Sequence, residues 1–224
     1  MILAIDTTHE FGSIALLADG ELLEETLLHA EAGFGQILYG HLSRLLARHG
    51  CSVQDIDCFA AASGPGSFTG VRIGLACVKG LAEAVAKPVV AVSNLQALAA
   101  FGTAPLRATV LDARRGEIYG AVYDANLNPV SPELVMKFPQ WLESLPGDAI
   151  EFISTDFSPF YAALAGTRFA DSPIIEAPRA LAGAIARIAF GKFRAGLAVD
   201  PAQVDANYVR RSDAELLWRD IKVP

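Results

Sequence analysis

The sequence has few of the features that mark secreted, membrane or nucleic-acid-binding proteins. Its three cysteines, Cys51, Cys58 and Cys77, show no C-x-x-C spacing in 224 residues, which predicts reduced thiols in a cytoplasmic protein. No apolar run approaches the roughly 20 residues of a membrane span. Met1 leads directly into an apolar segment without a basic stretch, so we expect neither a signal peptide nor a membrane helix.

Positive charge is also scarce. Lys and Arg number 18 against 25 for Asp and Glu, giving a formal net charge of −7. Because affinity for a phosphate backbone comes mainly from Lys and Arg, this balance argues against strong nucleic-acid binding by the chain alone. Any RNA contact is therefore expected to be indirect, through another subunit.

Histidine is rare and confined to the first quarter of the chain. The four histidines are His9, His29, His41 and His49. For each of them a packing or solvent-exposed role is favoured over a functional one.

Apolar residues, in contrast, are abundant at 52%, with only 19% charged residues. This is ample material for the core of one domain or of two small ones. The surplus of apolar surface predicts association with a partner or with a second copy of the chain.

Residues 62–79, A-S-G-P-G-S-F-T-G-V-R-I-G-L-A-C-V-K, are the most informative segment. They predict a buried strand, a sharp glycine-proline turn and a helix capped by Ser67 or Thr69. The free N–H groups of such a helix start suit an anion such as phosphate. However, neither the dinucleotide fingerprint nor the P-loop is complete, and composition alone favours the alternative, a helix packed closely on its sheet.

The helix that follows the turn has two apolar faces. One face carries Val71, Leu75, Val78, Ala82 and Val85, and the other carries Ile73, Cys77, Leu81 and Ala84. Because one sheet cannot bury both faces, we expect the helix to contact its own sheet on one side and a second chain on the other. A helix predicted over 36–49 has a similarly wide apolar arc.

Two units follow one another along the chain. The first, 1–102, has predicted strands at 2–5, 12–17, 21–28, 59–62 and 87–92 and a short helix capped by Ser93. The second, 106–200, has predicted strands at 109–112, 116–124 and 152–154 and helices at 141–145, 161–164 and 179–194. Residues 201–224, with a short helix at 213–218, are expected to pack back on the first unit.

The second unit repeats the opening plan of the first. Asp6 and Asp19 are 13 positions apart, Asp112 and Asp124 are 12 apart, and each pair brackets a turn and a strand. The spacing indicates a diverged internal duplication.

Four segments together resemble the bacterial TsaB (YeaZ) family, which belongs to the machinery that makes threonylcarbamoyladenosine in tRNA. These are D-T-T at 6–8, S-G-P-G-S-F-T-G-V-R-I-G at 63–74, Lys79, and L-D-A-R-R-G-E-I-Y at 111–119. The resemblance covers nearly the whole chain. It implies an α/β fold of the duplicated actin-like (ASKHA, ribonuclease H-like) type, with two domains of mixed sheet flanked by helices.

The same resemblance implies a cytoplasmic, non-catalytic scaffold. Such a subunit docks on the catalytic paralogue TsaD, supports binding of the ATPase TsaE, contacts tRNA only indirectly and pairs with itself when alone. The implied docking residues lie on the two apolar helices: Leu38, Leu42, Leu45, Val71, Arg72, Leu75, Val78 and Lys79. The run at 30–35 departs from the polar start that the family's first long helix usually has, so we expect partner geometry to differ there.

The resemblance also bears on metal binding. The catalytic paralogue carries metal-binding histidines just after the strand that corresponds to 89–92, whereas this chain has S-N-L-Q-A-L at 93–98. Neither Ala97 nor Leu98 can ligate a metal. We therefore expect no catalytic residue, no metal site and no cofactor.

The alternative function is that of an independent ATP-binding ASKHA kinase or ATPase. Nucleotide, as ATP or ADP, would then be held by Asp6, Thr7, Gly66 and Ser67. For the 6–8 turn, an ordinary hairpin closed by Asp and Thr hydrogen bonds is favoured. A peptidase is disfavoured because the chain has no G-x-S-x-G motif.

Overall fold

The computed structural model describes residues 1–31, 33–147 and 149–210. Its ten strands are β1 Ile2–Asp6, β2 Phe11–Ala18, β3 Glu21–His29, β4 Cys58–Ala62, β5 Val89–Val92, β6 Leu106–Arg114, β7 Glu117–Asp124, β8 Leu134–Lys137, β9 Glu151–Ser154 and β10 Ile174–Glu176. Its helices are α1 Leu38–Arg48, α2 Phe68–Ala84, α3 Asn94–Ala99, α4 Phe138–Ser144, α5 Tyr161–Leu164 and α6 Ala182–Arg194.

The strands form two five-stranded sheets of identical plan. The first has the order β3-β2-β1-β4-β5 and the second the order β10-β9-β6-β7-β8, so β1 to β5 correspond one by one to β6 to β10. In the first sheet β1 is antiparallel to β2 and parallel to β4, and in the second sheet β6 is antiparallel to β7 and parallel to β9. The duplicated α/β fold that the Asp spacing indicated is thereby confirmed.

Apolar strands fix the centre of the first sheet. Every residue of β1 and β4 is buried, because helices cover both faces of the sheet. Leu3 and Ile5 pack with α1 and α2 on one face, while Ile2 and Ala4 pack with α6 on the other. The first unit is therefore a three-layer sandwich.

The second unit has a core that is rich in aromatic side chains. Phe138 and Trp141 of α4 pack on Phe152 of β9, with Phe157 and Phe169 from the following loops. All five are buried, and their rings meet at tilted or edge-to-face angles. This cluster covers the face of the second sheet that points away from the first unit.

The third helix of each unit crosses to the other unit. Helix α3 follows the first sheet but packs on β6 and β7, while α6 follows the second sheet and packs on β1 and β2. The exchange places α3 and α6 side by side in one shared core. The predicted boundary between the units, at 102–106, stays a prediction. Helix α6 belongs to the predicted unit 106–200 but packs on the first sheet.

The chain after α6 returns to the first unit. Val199 pairs with Val89 at the edge of β5, and the Asn207 N–H donates to the Ser63 carbonyl at 2.8 Å. Arg210 then reaches the second sheet, where it pairs with Glu117. Residues 201–210 thus contact both units, and the assignment of 201–224 to the first unit stays a prediction. The helix predicted at 213–218 lies outside the described residues.

Two strands were absent from the sequence prediction. β8 and β10 are the outermost strands of the second sheet, only four and three residues long, and mostly half-buried. In the described part of the chain, no helix is both long and apolar enough to cross a membrane.

Candidate docking face and interdomain cleft

Three glycines let α2 lie directly on the turn between β1 and β2. A Cβ added to Gly70 would lie 2.0 Å from the Thr7 carbonyl oxygen, and one added to Gly66 would lie 2.5 Å from the Thr8 carbonyl oxygen. At Gly74 the nearest atom would be Thr7 Oγ1, at 2.7 Å. No other residue type fits at these distances, so the glycines are required for close packing.

Hydrogen bonds also stabilise the contact between α2 and the β1–β2 turn. The Ser67 N–H donates to the Thr8 carbonyl, and Thr7 Oγ1 donates to the Gly70 carbonyl, both at 2.7 Å. Ser67 also caps α2 by accepting from the Gly70 N–H at 3.3 Å. The amide of Ser67 and the hydroxyl of Thr7 are therefore already engaged, which favours the packing interpretation of the loop over a phosphate cradle.

Asp6 lies at the buried end of β1, and its carboxylate has three polar contacts. Its Oδ1 accepts from the Thr8 N–H at 2.9 Å and from Thr8 Oγ1 at 2.6 Å, and its Oδ2 accepts from Asn94 Nδ2 at 3.3 Å. Asn94 Nδ2 also donates to Thr8 Oγ1 at 2.7 Å. The carboxylate thus closes the turn and joins it to α3, as the hairpin alternative predicts.

His9 is the nearest side chain to this network with an unmet hydrogen-bonding atom. Its Nδ1 lies 2.9 Å from Thr8 Oγ1, while its buried Nε2 has no partner among the described residues. Burial lowers the pKa of His9, against the opposing effect of Asp6, and so favours the neutral ring. The packing role expected for His9 fits this geometry.

A cleft of about 960 Å³ separates the two units beside the turn. Thr7, Gly66 and Ser67 line it, and Asp6, which is buried beneath the turn, does not. The second unit contributes charged side chains of both signs: Asp112, Arg114, Asp156 and Arg179. The predicted nucleotide residues are thus brought near one another, but only three of the four face the cleft.

Six of the eight predicted docking residues are buried inside the first unit. Leu38, Leu42, Leu45, Val71, Leu75 and Val78 have at most 6% of their surface exposed and form one core cluster under the sheet. They support α1 and α2 from behind, since side chains covered by their own sheet offer little surface to a second chain. Their part in docking stays a prediction.

The exposed faces of the two helices carry different residues. On α2 they are Phe68, Thr69, Arg72, Ala76, Gly80, Glu83 and Ala84, with Ile73 and Leu81 half-buried at the margin. On α1, Tyr39 is 61% exposed. A Cβ added to Gly80 would meet nothing within 4 Å. The second apolar face predicted for α2 contributes Ala84 to this surface and Ile73 and Leu81 to its margin, whereas Cys77 is buried.

Arg72 and Lys79, the two remaining predicted residues, differ in their availability. Arg72 is exposed, its guanidinium lies 3.6 Å above the Phe68 ring, and its Nε donates to the Tyr208 hydroxyl at 3.0 Å. Lys79 is half-buried and donates to the Val204 carbonyl at 2.9 Å. Arg72 therefore lies on the surface, whereas Lys79 binds the segment around Val204 that returns to the first unit.

Comparison with known proteins assigns the fold and the family. The family described as "TsaD: tRNA N6-adenosine threonylcarbamoyltransferase" matches residues 29–170, more than half of the chain. The chain belongs to the TsaD family. Within it, the relatives described next place the chain among the TsaB (YeaZ) members of the actin-like superfamily.

Two curated relatives are named tRNA threonylcarbamoyladenosine biosynthesis protein TsaB. That of Bacillus subtilis (strain 168) is 36% identical over 149 residues, which is 64% of this chain and 65% of the relative. That of Escherichia coli (strain K12) is 38% identical over 133 residues, which is 58% of this chain and 57% of the relative. The chain thus spans less than two thirds of each relative's length in these matches.

A solved structure from Pseudomonas aeruginosa has the same fold over the whole described architecture. It is described as an uncharacterized protein with similarity to peptidase YEAZ and is 28% identical to this chain. The TM-score is 0.79, with 93% of this chain and 99% of that one covered. The duplicated actin-like arrangement predicted from the sequence is confirmed.

Proposed function

We propose that this chain is a non-catalytic subunit of the machinery that makes threonylcarbamoyladenosine in tRNA. It docks on a TsaD-like catalytic paralogue through the exposed faces of α1 and α2, supports binding of a TsaE-like ATPase in the complex, and contacts tRNA only indirectly. The protein acts in the cytoplasm. The names of the TsaB relatives support the process, and the exposed helix faces support docking.

The observation that carries the proposal is the division of α2 into two faces. Its inner face is used completely by the first sheet and by the turn at Thr7, while Ala76, Gly80 and the adjoining Tyr39 leave an exposed strip that a partner helix can approach closely. A stable interface buries roughly 800 Å² per partner, an area that two helices can supply.

The chemistry of the described residues supports a non-catalytic role. No group of three or more His, Cys, Asp or Glu side chains among them is arranged to hold a metal ion. The absence of a metal or other cofactor stays a prediction. In the proposed complex, the catalytic groups are supplied by the paralogue.

Co-expression with the TsaD-like paralogue tests the proposal. Gly80→Trp places a large side chain on the open strip, where an added Cβ meets nothing within 4 Å, and we expect it to abolish co-purification and lower tRNA modification in a reconstituted assay. Gly191→Trp is the matched control, since Gly191 is also a helical glycine whose added Cβ would meet nothing within 4 Å. Equal capture of the paralogue by both variants would contradict docking through this face.

The alternative is an ATP-binding ASKHA kinase or ATPase, and the cleft is the observation that favours it. Its volume of about 960 Å³ is sufficient for a nucleotide. Against this alternative, the Asp6 carboxylate is buried and already accepts three hydrogen bonds. Isothermal titration of the purified chain with MgATP, followed by a phosphate-release assay, decides between the two functions.

A further inference from the structure

The returning chain joins the two units beside the cleft. We infer that residues 207–210 form a strap that holds the cleft at its present width, so that the cleft widens when the strap is released. All four residues line the cleft. Such a strap acts within one chain and needs no docking partner, so it goes beyond the proposed function.

Asn207 contacts both units at once. Its backbone N–H donates to the Ser63 carbonyl just after β4 at 2.8 Å, and a Cβ added to Gly64 would lie 3.0 Å from the Asn207 carbonyl oxygen. Its side-chain Nδ2 donates to Glu133 in the second unit. The other oxygen of that carboxylate accepts from the Tyr123 hydroxyl of β7 at 2.6 Å. The first residue of the strap therefore bridges the two units.

Tyr208 attaches the strap to the start of α2. Its ring centroid lies 5.2 Å from that of Phe68, and its hydroxyl accepts from Arg72 Nε at 3.0 Å. The Arg72 guanidinium lies 3.6 Å from the Phe68 ring centroid, so the three side chains form one cluster. Because Tyr208 is 47% exposed, this cluster can open without unfolding of α2.

Arg210 attaches the other end of the strap to the hairpin between β6 and β7. Its Nη1 donates to the Ala113 carbonyl at 2.8 Å, and its Nη2 pairs with Glu117. Its guanidinium carbon also lies 5.7 Å from the Tyr119 ring centroid. These three partners all belong to the second unit. The two ends of the strap thus hold opposite sides of the cleft.

The strap is held mainly by polar contacts, whereas the core shared by α3 and α6 is apolar. The contacts of Tyr208 and Arg210 are hydrogen bonds and one ion pair at partly exposed positions, and such contacts are individually weak. Val209 adds one half-buried side chain to the shared core, in which Leu98 and Ile185 are fully buried. We therefore expect the strap to detach while the shared core stays intact and acts as the hinge.

Distance measurements across the full-length chain test the strap. Spin labels on Thr69→Cys and Asp156→Cys, in a Cys51→Ser background, place one probe on each unit at exposed positions that line the cleft; the two remaining cysteines are buried. Electron paramagnetic resonance then reports the distance between the probes, with excess unlabelled chain added so that only intrachain distances count. Arg210→Ala and Tyr208→Ala should each shift the distribution to longer distances, because each removes one end of the strap.

Arg168→Ala is the matched control. Like Arg210, Arg168 donates to a backbone carbonyl, that of Leu145 at 2.7 Å, and its guanidinium lies 4.6 Å from the ring centroid of Phe169, but both partners belong to its own unit. This substitution should leave the distance distribution unchanged. Arg210→Lys, which keeps the positive charge but not the planar guanidinium, should give an intermediate shift.

Two results would overturn the strap: an unchanged distribution in Arg210→Ala or Tyr208→Ala, or an equal shift in Arg168→Ala. Circular dichroism identifies any variant that fails to fold. In that case Tyr208→Phe, which keeps the ring beside Phe68 and loses only the hydroxyl bond, should still give a smaller shift to longer distances. Because these measurements use this chain alone, the strap and the proposed docking on a TsaD-like paralogue fail independently.

Discussion

The contact between α2 and the β1–β2 turn makes a quantitative prediction for Gly70→Ala. The new Cβ would start 2.0 Å from the Thr7 carbonyl oxygen, a backbone atom in a fully buried strand connection. Because neither the strand nor the helix can yield without disturbing the core on its other side, α2 must shift by more than 1 Å at its first turn.

The expected loss of stability follows from three contributions. Overpacking costs about 1–3 kcal/mol, and loss of the two hydrogen bonds that join the turn to α2 costs roughly 1 kcal/mol each. Replacing a helical glycine with alanine stabilises the helix by about 0.5–1 kcal/mol, which offsets part of this loss. The free energy of unfolding should therefore fall by roughly 2–4 kcal/mol. For a chain of this length, that lowers the melting temperature on the order of 5–15 °C.

Thermal unfolding followed by circular dichroism measures this effect, and the same helix provides the control. At Gly80 an added Cβ meets nothing within 4 Å, so Gly80→Ala should raise stability by about 0.5–1 kcal/mol. The two substitutions are chemically identical and are predicted to differ in sign. If Gly70→Ala melts at or above the temperature of Gly80→Ala, the close packing is not a requirement of the fold and the reasoning fails.

Two further predictions concern polar groups. Ser13→Ala removes the acceptor of the first two amides at the start of α6, both within 3.0 Å of the serine hydroxyl, and should cost about 1–3 kcal/mol in urea unfolding, whereas the exposed Ser43→Ala should be near neutral. The hydrogen bond from Arg48 lowers the pKa of Glu24 from 4.5 to about 2, so the stability that Glu24 contributes is present above pH 4.5 and lost as the pH falls towards 2. Unfolding of Glu24→Gln measured between pH 2 and 7 should show a deficit at neutral pH that disappears in acid; a deficit that persists at pH 2 would contradict this assignment.

Much of the first unit could be predicted from the sequence because its elements are strongly patterned. The buried runs at β1 and β4, the Asp19–Gly20 hairpin and the caps at Ser67 and Ser93 all appear in the structure. Such features are local, and local chemistry determines them. Even the duplication was visible, because the Asp spacing reflects the shared strand order of the two sheets.

The rest depends on long-range packing that no local pattern encodes. Periodicity found both apolar faces of α2, but the inner one is buried as a broad arc that includes Cys77, which leaves only Ile73, Leu81 and Ala84 of the second face near the surface. Likewise, the sequence offers no sign that the start of α6 is held by Ser13, 168 residues away. The strands β8 and β10 are too short and too open to show an alternating pattern.

The crossing of α6 to the first sheet has a consequence for how the chain must be made and divided. During synthesis, the face of β1 and β2 that packs against α6 stays exposed until nearly 200 residues have left the ribosome, because α6 is among the last elements produced. A fragment ending near residue 102 would expose the apolar face of β1 and β2 to water. The remaining fragment would carry α6 without the sheet on which it packs. Neither half is an independent protein, so truncation is a poor route to isolating one function from the other.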